Sequence, residues 1–184
     1  MSDIYDYRVS PLKWTQVDGV ADRLRELLHL TDIPYFPVVE VLENVLPLVV
    51  GDEADFSFQV GTVDEMGNAE GLTCPEGSFI RIREDVYEEA CSGGRRPRYT
   101  LAHELGHFLL HTGQNQPFAR TDRFEKLRAF ESAEKQADRF AATLLMPEQH
   151  IMAFDNTNAV MERFGVSKTA ARIRLEKLGK GLAI

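Results

Sequence analysis

The run His103-Glu104-Leu105-Gly106-His107 constrains the fold of this chain more than any other stretch. In a helix, positions i and i+4 share a face, so the two histidines would stand one turn apart on the same side. Two imidazoles on one face can converge on a single ion. A second element must then pack close enough to complete the ligand set. Zinc takes imidazole nitrogen at about 2.0–2.1 Å in tetrahedral geometry and keeps an open position where it is catalytic. Glu104 lies too close to the first ligand to join it comfortably, but it can reach a water held at the ion. H-E-x-x-H on a helix is the pattern of two metal ligands and a general base for peptide-bond hydrolysis.

The flanking residues favour a helix. Leu101, Leu105, Phe108 and Leu109 recur at helical spacing, Thr100 can serve as N-cap, and Thr112-Gly113 supplies a stop. Gly106 costs about 1 kcal/mol against alanine inside a helix, so close packing or substrate approach is expected there. The competing reading is an amphipathic core helix that happens to carry two histidines.

A third ligand decides between the two. His111 continues the four-residue spacing, but it lies about 12 Å from His103 along a straight helix. The metzincin arrangement needs a glycine and a histidine three and six residues after the second ligand, where this chain has Leu110 and Gly113. A glutamate on a second helix is the better solution. Residues 131–146 form that helix: Ala133, Ala137, Phe140, Ala141, Leu144 and Leu145 give an apolar face, and Pro147 ends it. Its acids are Glu131, Glu134 and Asp138. Glu134 ranks first as ligand, then Glu131, then Glu125. Asp138, one turn after Glu134, can accept the outer N–H of a ligand histidine and fix its tautomer.

The stretch Tyr99 to His111, then Glu134 with Ala137-Asp138-Arg139-Phe140-Ala141-Ala142 and Leu144-Leu145-Met146-Pro147, resembles the ImmA/IrrE family of zinc metallopeptidases. The resemblance takes in Ile80 to Tyr87 upstream and Phe164 to Ser167 and Arg172 to Gly179 downstream, covering most of residues 35–180. It implies His103, His107 and Glu134 as ligands of one catalytic Zn2+ and Glu104 as base. Members often have asparagine where this chain has Asp138; aspartate there is more like the thermolysin type. The resemblance also implies a substrate. Such enzymes cleave or inactivate an XRE-type helix-turn-helix repressor encoded nearby, and so release stress, phage or mobile-element genes. With about 30 residues before Ile33, the chain has no room for the N-terminal DNA-binding domain many members carry, so the repressor is expected as a separate partner.

Composition fits a cytoplasmic enzyme. A chain of 184 residues can bury a continuous core, and its 43% hydrophobic and 27% charged content is ordinary for a globular protein. A net charge of −8 argues against general nucleic-acid binding. Cys74 and Cys91 have no metal-like spacing and are expected as reduced thiols. The acidic start is not a secretory signal, and the longest apolar run, Val45–Val50, contains Pro47, so no membrane span is expected.

The expected architecture is α+β and zincin-like: mostly helical, with a small three-stranded sheet beside the metal helix and a C-terminal helix-turn-helix-like pair. Residues 1–32 form an N-terminal helical extension, with a helix over Thr15–Leu30, and residues 33–184 the metallopeptidase domain. A helix at Val38–Val45 follows, then strands at Leu48–Val50, Phe56–Val60 and Ser78–Arg83, the last as an edge strand able to pair with substrate. A short helix near Asp85–Ala90 leads to a flexible basic stretch, Gly93 to Arg98. Gln114–Ala129 reads as a solvated loop that can double as a cleft rim. The pair at 157–179, with Ser167 as N-cap, carries Arg163, Lys168, Arg172, Arg174, Lys177 and Lys180. Its apolar Ile173, Leu175 and Leu178 favour packing over DNA contact. Candidates to steady the reaction's oxyanion are Tyr99 and His111, then Arg98 and His150. Two other functions compete with the enzyme: a non-cleaving, zinc-containing anti-repressor or antitoxin, and a DNA-binding regulator. An intact Glu104 favours the enzyme, since a binding module has no use for a base there.

Overall fold

The computed structural model describes residues 6–50, 56–114 and 127–180. Helices dominate it, joined to one three-stranded sheet, so the α+β class holds. In chain order the elements are α1 (Trp14–Leu27), α2 (Val38–Glu40), α3 (Leu46–Val50), β1 (Ser57–Gly61), α4 (Val63–Met66), β2 (Gly71–Thr73) and β3 (Phe79–Arg83). Then come α5 (Glu84–Cys91), α6 (Arg95–His111), α7 (Ala133–Leu145), α8 (Thr157–Phe164) and α9 (Lys168–Lys177). Among the described residues no helix is long and apolar enough to cross a membrane, and Cys74 and Cys91 are both free.

The central event is the packing of α6 on α7. Leu101, Ala102 and Leu105 from one helix and Ala137, Phe140, Ala141, Leu144 and Leu145 from the other are buried between their neighbours. Gly106 stands at the crossing: a β-carbon there would come within 2.9 Å of the Phe140 ring and 3.2 Å of the Ala137 Cα. The helix tolerates its poorest ordinary former at this point because the two backbones approach closely. α1 covers α7 from behind, burying Val17 and Ala21. Asp18 on α1 accepts two bonds from the Arg139 guanidinium, at 2.6 and 2.5 Å, and one from Thr143 at 2.7 Å.

Several expected elements are repositioned. The run Leu48–Val50 is the end of a helix, not a strand. α2, a wider π-wound turn over Val41–Val45, and α3 follow one another without a break. Pro47 lacks an N–H and its ring crowds the carbonyl four residues back, and the wide turn falls just before it. Only Leu46 of the apolar run is buried, while Leu48 and Val49 stay exposed. α6 begins at Arg95, so Thr100 is an interior residue and not an N-cap, and its hydroxyl meets Glu70 at 3.3 Å. The stretch expected to be flexible supplies the first turn of α6 instead, where Pro97 forgoes no helical bond. Arg98 is buried there and donates to the carbonyls of Phe164 and Gly165 and, at 2.6 Å, to that of Phe36.

The sheet has the order β1-β3-β2, with β1 parallel and β2 antiparallel to β3. The expectation that Phe79–Arg83 forms an edge strand is therefore corrected: it is central. Ile80 and Ile82 face the core, and Arg81 on the other face donates to Gln59 of β1. The edge next to α6 is β2, a three-residue strand. At the C-terminal end, Gly165 in the left-handed region (φ 62°) joins α8 to α9, and the Ser167 hydroxyl caps α9 by accepting from Ala170 N.

Candidate metal centre

α6 and α7 bring three side chains to one point. His103 Nε2 and His107 Nε2 are 3.0 Å apart. The Glu134 carboxylate reaches them with one oxygen 3.2 Å from His103 Nε2 and the other 3.3 Å from His107 Nε2. These residues form the one group of three or more His, Cys, Asp or Glu side chains among the described residues that could hold a metal ion. Donors about 2.0–2.1 Å from a tetrahedral zinc stand about 3.3–3.4 Å from each other, so the spacing fits one ion with little movement.

The surroundings set the direction of each ring. His103 Nδ1 faces Asp138 Oδ1 at 3.3 Å, the contact expected from the spacing on α7. That carboxylate accepts the Nδ1 proton and fixes the ring, with Nε2 turned toward Glu134 and His107. Burial works against a charge on His103, but the carboxylates of Asp138 and Glu134 outweigh it and raise the imidazole to about 10. Burial would likewise raise Glu134, yet its contacts with His103 and His107 hold it far below the usual carboxylate range. The cluster thus favours positive charge between the rings, whether proton or metal.

Glu104 is buried beside this cluster. Thr73 of β2 holds its carboxylate, the hydroxyl lying 2.7 Å from Oε2 and 3.0 Å from the Glu104 carbonyl. Gly71 makes room for it, since a β-carbon there would meet Glu104 Cγ at 2.5 Å and Oε1 at 2.7 Å.

The remaining candidates are placed elsewhere. The Tyr99 hydroxyl donates its proton to the Asp138 carbonyl at 2.9 Å, and burial, then Asp138, raise its pKa. Arg98 is committed to the carbonyls named above, and His150 Nε2 lies 2.7 Å from the Thr31 carbonyl. His111 is buried, with Nδ1 3.1 Å from His107 Nδ1 and Nε2 3.2 Å from Gln136 Oε1. Burial, then the neighbouring His107, push it down to about 4. Tyr99 and His111, expected as oxyanion donors, therefore have their polar atoms engaged within the protein. Glu131 lies outside the cluster; its carbonyl accepts from Val9 N. Glu125 and most of the 114–129 loop lie outside the described residues.

Sequence reasoning missed Gly71, Thr73 and Gln136. The first two sit on a strand too short to show a period. Gln136 carried one signal, a polar residue three positions after Ala133 and one before Ala137, on the side of α7 that had to pack.

Two imidazoles and a carboxylate from two packed helices are a donor set that could hold one metal ion, and a second buried carboxylate stands beside them. Residues 72–176, which hold the cluster and its wall, match the family model of the IrrE N-terminal-like domain, Peptidase M78. The chain belongs to that family and is a metallopeptidase of the IrrE/ImmA kind. No curated protein matches it.

Proposed function

We propose that the protein is a zinc-dependent endopeptidase that cuts a regulatory protein, an XRE-type helix-turn-helix repressor, and thereby lifts repression. The observation that carries this reading is the convergence of His103 Nε2, His107 Nε2 and the Glu134 carboxylate within 3.0–3.3 Å, with Glu104 held alongside. His103, His107 and Glu134 hold the ion. When bound, the ion polarises the scissile carbonyl and makes water more acidic. Glu104 takes the proton of the attacking water and passes it to the leaving nitrogen. Thr73 fixes one Glu104 oxygen, which leaves the other for that transfer. β2, the edge strand beside α6, offers main-chain groups with which an extended substrate segment can pair. A structured repressor must therefore present a loop or an unfolded stretch. The zincin-like description, the cytoplasmic setting and the helix-turn-helix-like role of 157–179 belong to the same reading.

Glu104→Gln tests it. The variant should keep the metal while cleavage of the co-encoded repressor falls by at least about 10²-fold, the usual worth of a general base. Release of the repressor by the intact variant would instead make the protein a non-cleaving anti-repressor. Direct DNA contact is disfavoured by the fate of the basic residues. Arg174 is buried on the Met146 carbonyl, Arg163 is paired with Asp155, Arg172 with Glu176, and Lys180 bonds the Ile151 carbonyl.

A further inference from the structure

We infer that Leu72 selects the substrate, favouring an apolar side chain at one fixed position near the cut; this rests on the reading of Glu104 as the base of a peptidase. β2 runs antiparallel to β3, with Leu72 opposite Arg81. In such a ladder, residue pairs that exchange both main-chain hydrogen bonds alternate with pairs that exchange none. Arg83 N donates to Glu70 O at 3.0 Å and Cys74 N to Phe79 O at 2.9 Å, which marks Glu70 and Cys74 as bonded positions. Leu72, midway between them, is bonded to β3 as well. Gly71 and Thr73 are of the other kind. Their N–H and C=O groups point away from β3, toward the edge that no strand covers among the described residues.

The same two residues stand against Glu104. The Thr73 hydroxyl donates to its carboxylate at 2.7 Å, and a β-carbon on Gly71 would run into it. An extended segment bonded to Gly71 and Thr73 is therefore laid down in a register fixed against the base. Side chains alternate across a strand, so Gly71 and Thr73 face α6 while Leu72 stands on the opposite face of the sheet, 46% exposed. Whichever way the segment runs, its residue opposite Leu72 projects on that outer face, with Leu72 as its neighbour across the strands. Beyond Leu72 on the same face is Arg81, whose Nε donates to Gln59 Oε1 at 2.9 Å. A lysine or arginine in the substrate would meet a hydrocarbon side chain with a like charge behind it. A leucine, valine or phenylalanine would cover Leu72.

Amide hydrogen exchange of the wild-type protein, followed by NMR, tests the register. The Leu72 amide should exchange slowly and those of Gly71 and Thr73 fast; protection at Gly71 and Thr73 equal to that at Leu72 overturns the inference. Specificity is read by digesting a randomised peptide library with the zinc-loaded protein and sequencing the products by mass spectrometry. Wild type should enrich apolar residues at one position at a constant distance from the cut. Leu72 is exposed, so its replacement leaves the core intact. In Leu72→Glu that position should turn toward lysine and arginine, and in Leu72→Lys toward aspartate and glutamate. Each preference should change by about 2–5-fold, the worth of one cross-strand pair. A profile shared by wild type and both variants overturns the inference and leaves the peptidase standing. If wild type cuts no peptide at all, the endopeptidase reading fails and takes the role of Leu72 with it.

Discussion

Gly106 and Gly71 do opposite kinds of work with the same missing side chain. At Gly106 the absent β-carbon lets α6 settle on Phe140 and Ala137. Gly106→Ala gains about 1 kcal/mol of helix propensity but forces the helices apart. Overpacking of this sort costs about 1–3 kcal/mol, so the expected outcome is a lower denaturation midpoint in urea, not a higher one. At Gly71 the neighbour is Glu104 itself. Gly71→Ala should leave the fold and zinc content intact and push the carboxylate off Thr73. A base misplaced by an ångström can cost about 10²-fold in rate, so kcat should fall steeply while KM changes little. Unaltered kcat would remove β2 from the account of how the base is held. Both glycines sit in unremarkable sequence; only Gly106, isolated in an apolar helix, announced a reason.

At the scale of elements, the turn before α8 gives a pH-dependent prediction. Asp155, almost fully buried, binds the Arg163 guanidinium through both oxygens and accepts from Met152 N at 2.8 Å. The hydrogen bonds from Arg163, which outweigh burial, hold its carboxyl below the ordinary aspartate value of 3.8. A carboxyl group depressed on folding contributes stability above its unfolded pKa and loses it as the pH falls through the folded one. Asp155→Asn should therefore cost about 1–2 kcal/mol at neutral pH, in the range of charge-assisted hydrogen bonds. The gap to wild type should close as the solution is acidified below 3.8. A gap of constant size from neutral to strongly acid pH would refute the pairing.

The long helices were legible because their signals were redundant: periodic apolar residues, Ser167 as a cap, Thr112-Gly113 and Pro147 as stops; the start of α7 was set two residues early, since the Ser132 cap was not recognised. The sheet was only half legible. Ile80 and Ile82 marked β3 as a strand, but strand order depends on partners with no local mark, and β2 has three residues. Leu48–Val50 failed for a related reason, since a short apolar run has no period to separate strand from helix. At the site, His103, His107, Glu134 and Asp138 could be read from spacing on two helices. Thr73 and Gln136 could not, because their roles depend on how distant segments fold back.

Considered as a whole, the molecule holds four ionisable groups of the centre on two helices joined through a long connection, so an ion held there would bridge parts of the chain far apart in sequence. Zinc that binds the folded form alone adds stability by mass action: about 2.7 kcal/mol at 100 times its dissociation constant. For a chain of this size that is roughly a 5–10 °C rise in melting temperature. Scanning calorimetry with and without chelator should show the rise in wild type and its loss in Glu134→Ala. Identical melting curves for wild type under both conditions would mean that the three side chains hold no structural stake in an ion.

The segment before α1 lies along the start of α7. Asp6 accepts from Ser132 Oγ and Glu134 N, Tyr7 O accepts from Ala133 N, and Leu12 N donates to Phe130 O. Anyone trimming this chain to the stretch that matches its family, residues 72–176, would cut away the brace beside Glu134 and the Ser10 carbonyl that accepts from the Gln136 amide. A miniature version of the enzyme has to keep that far-off ribbon of backbone, which supplies no catalytic atom.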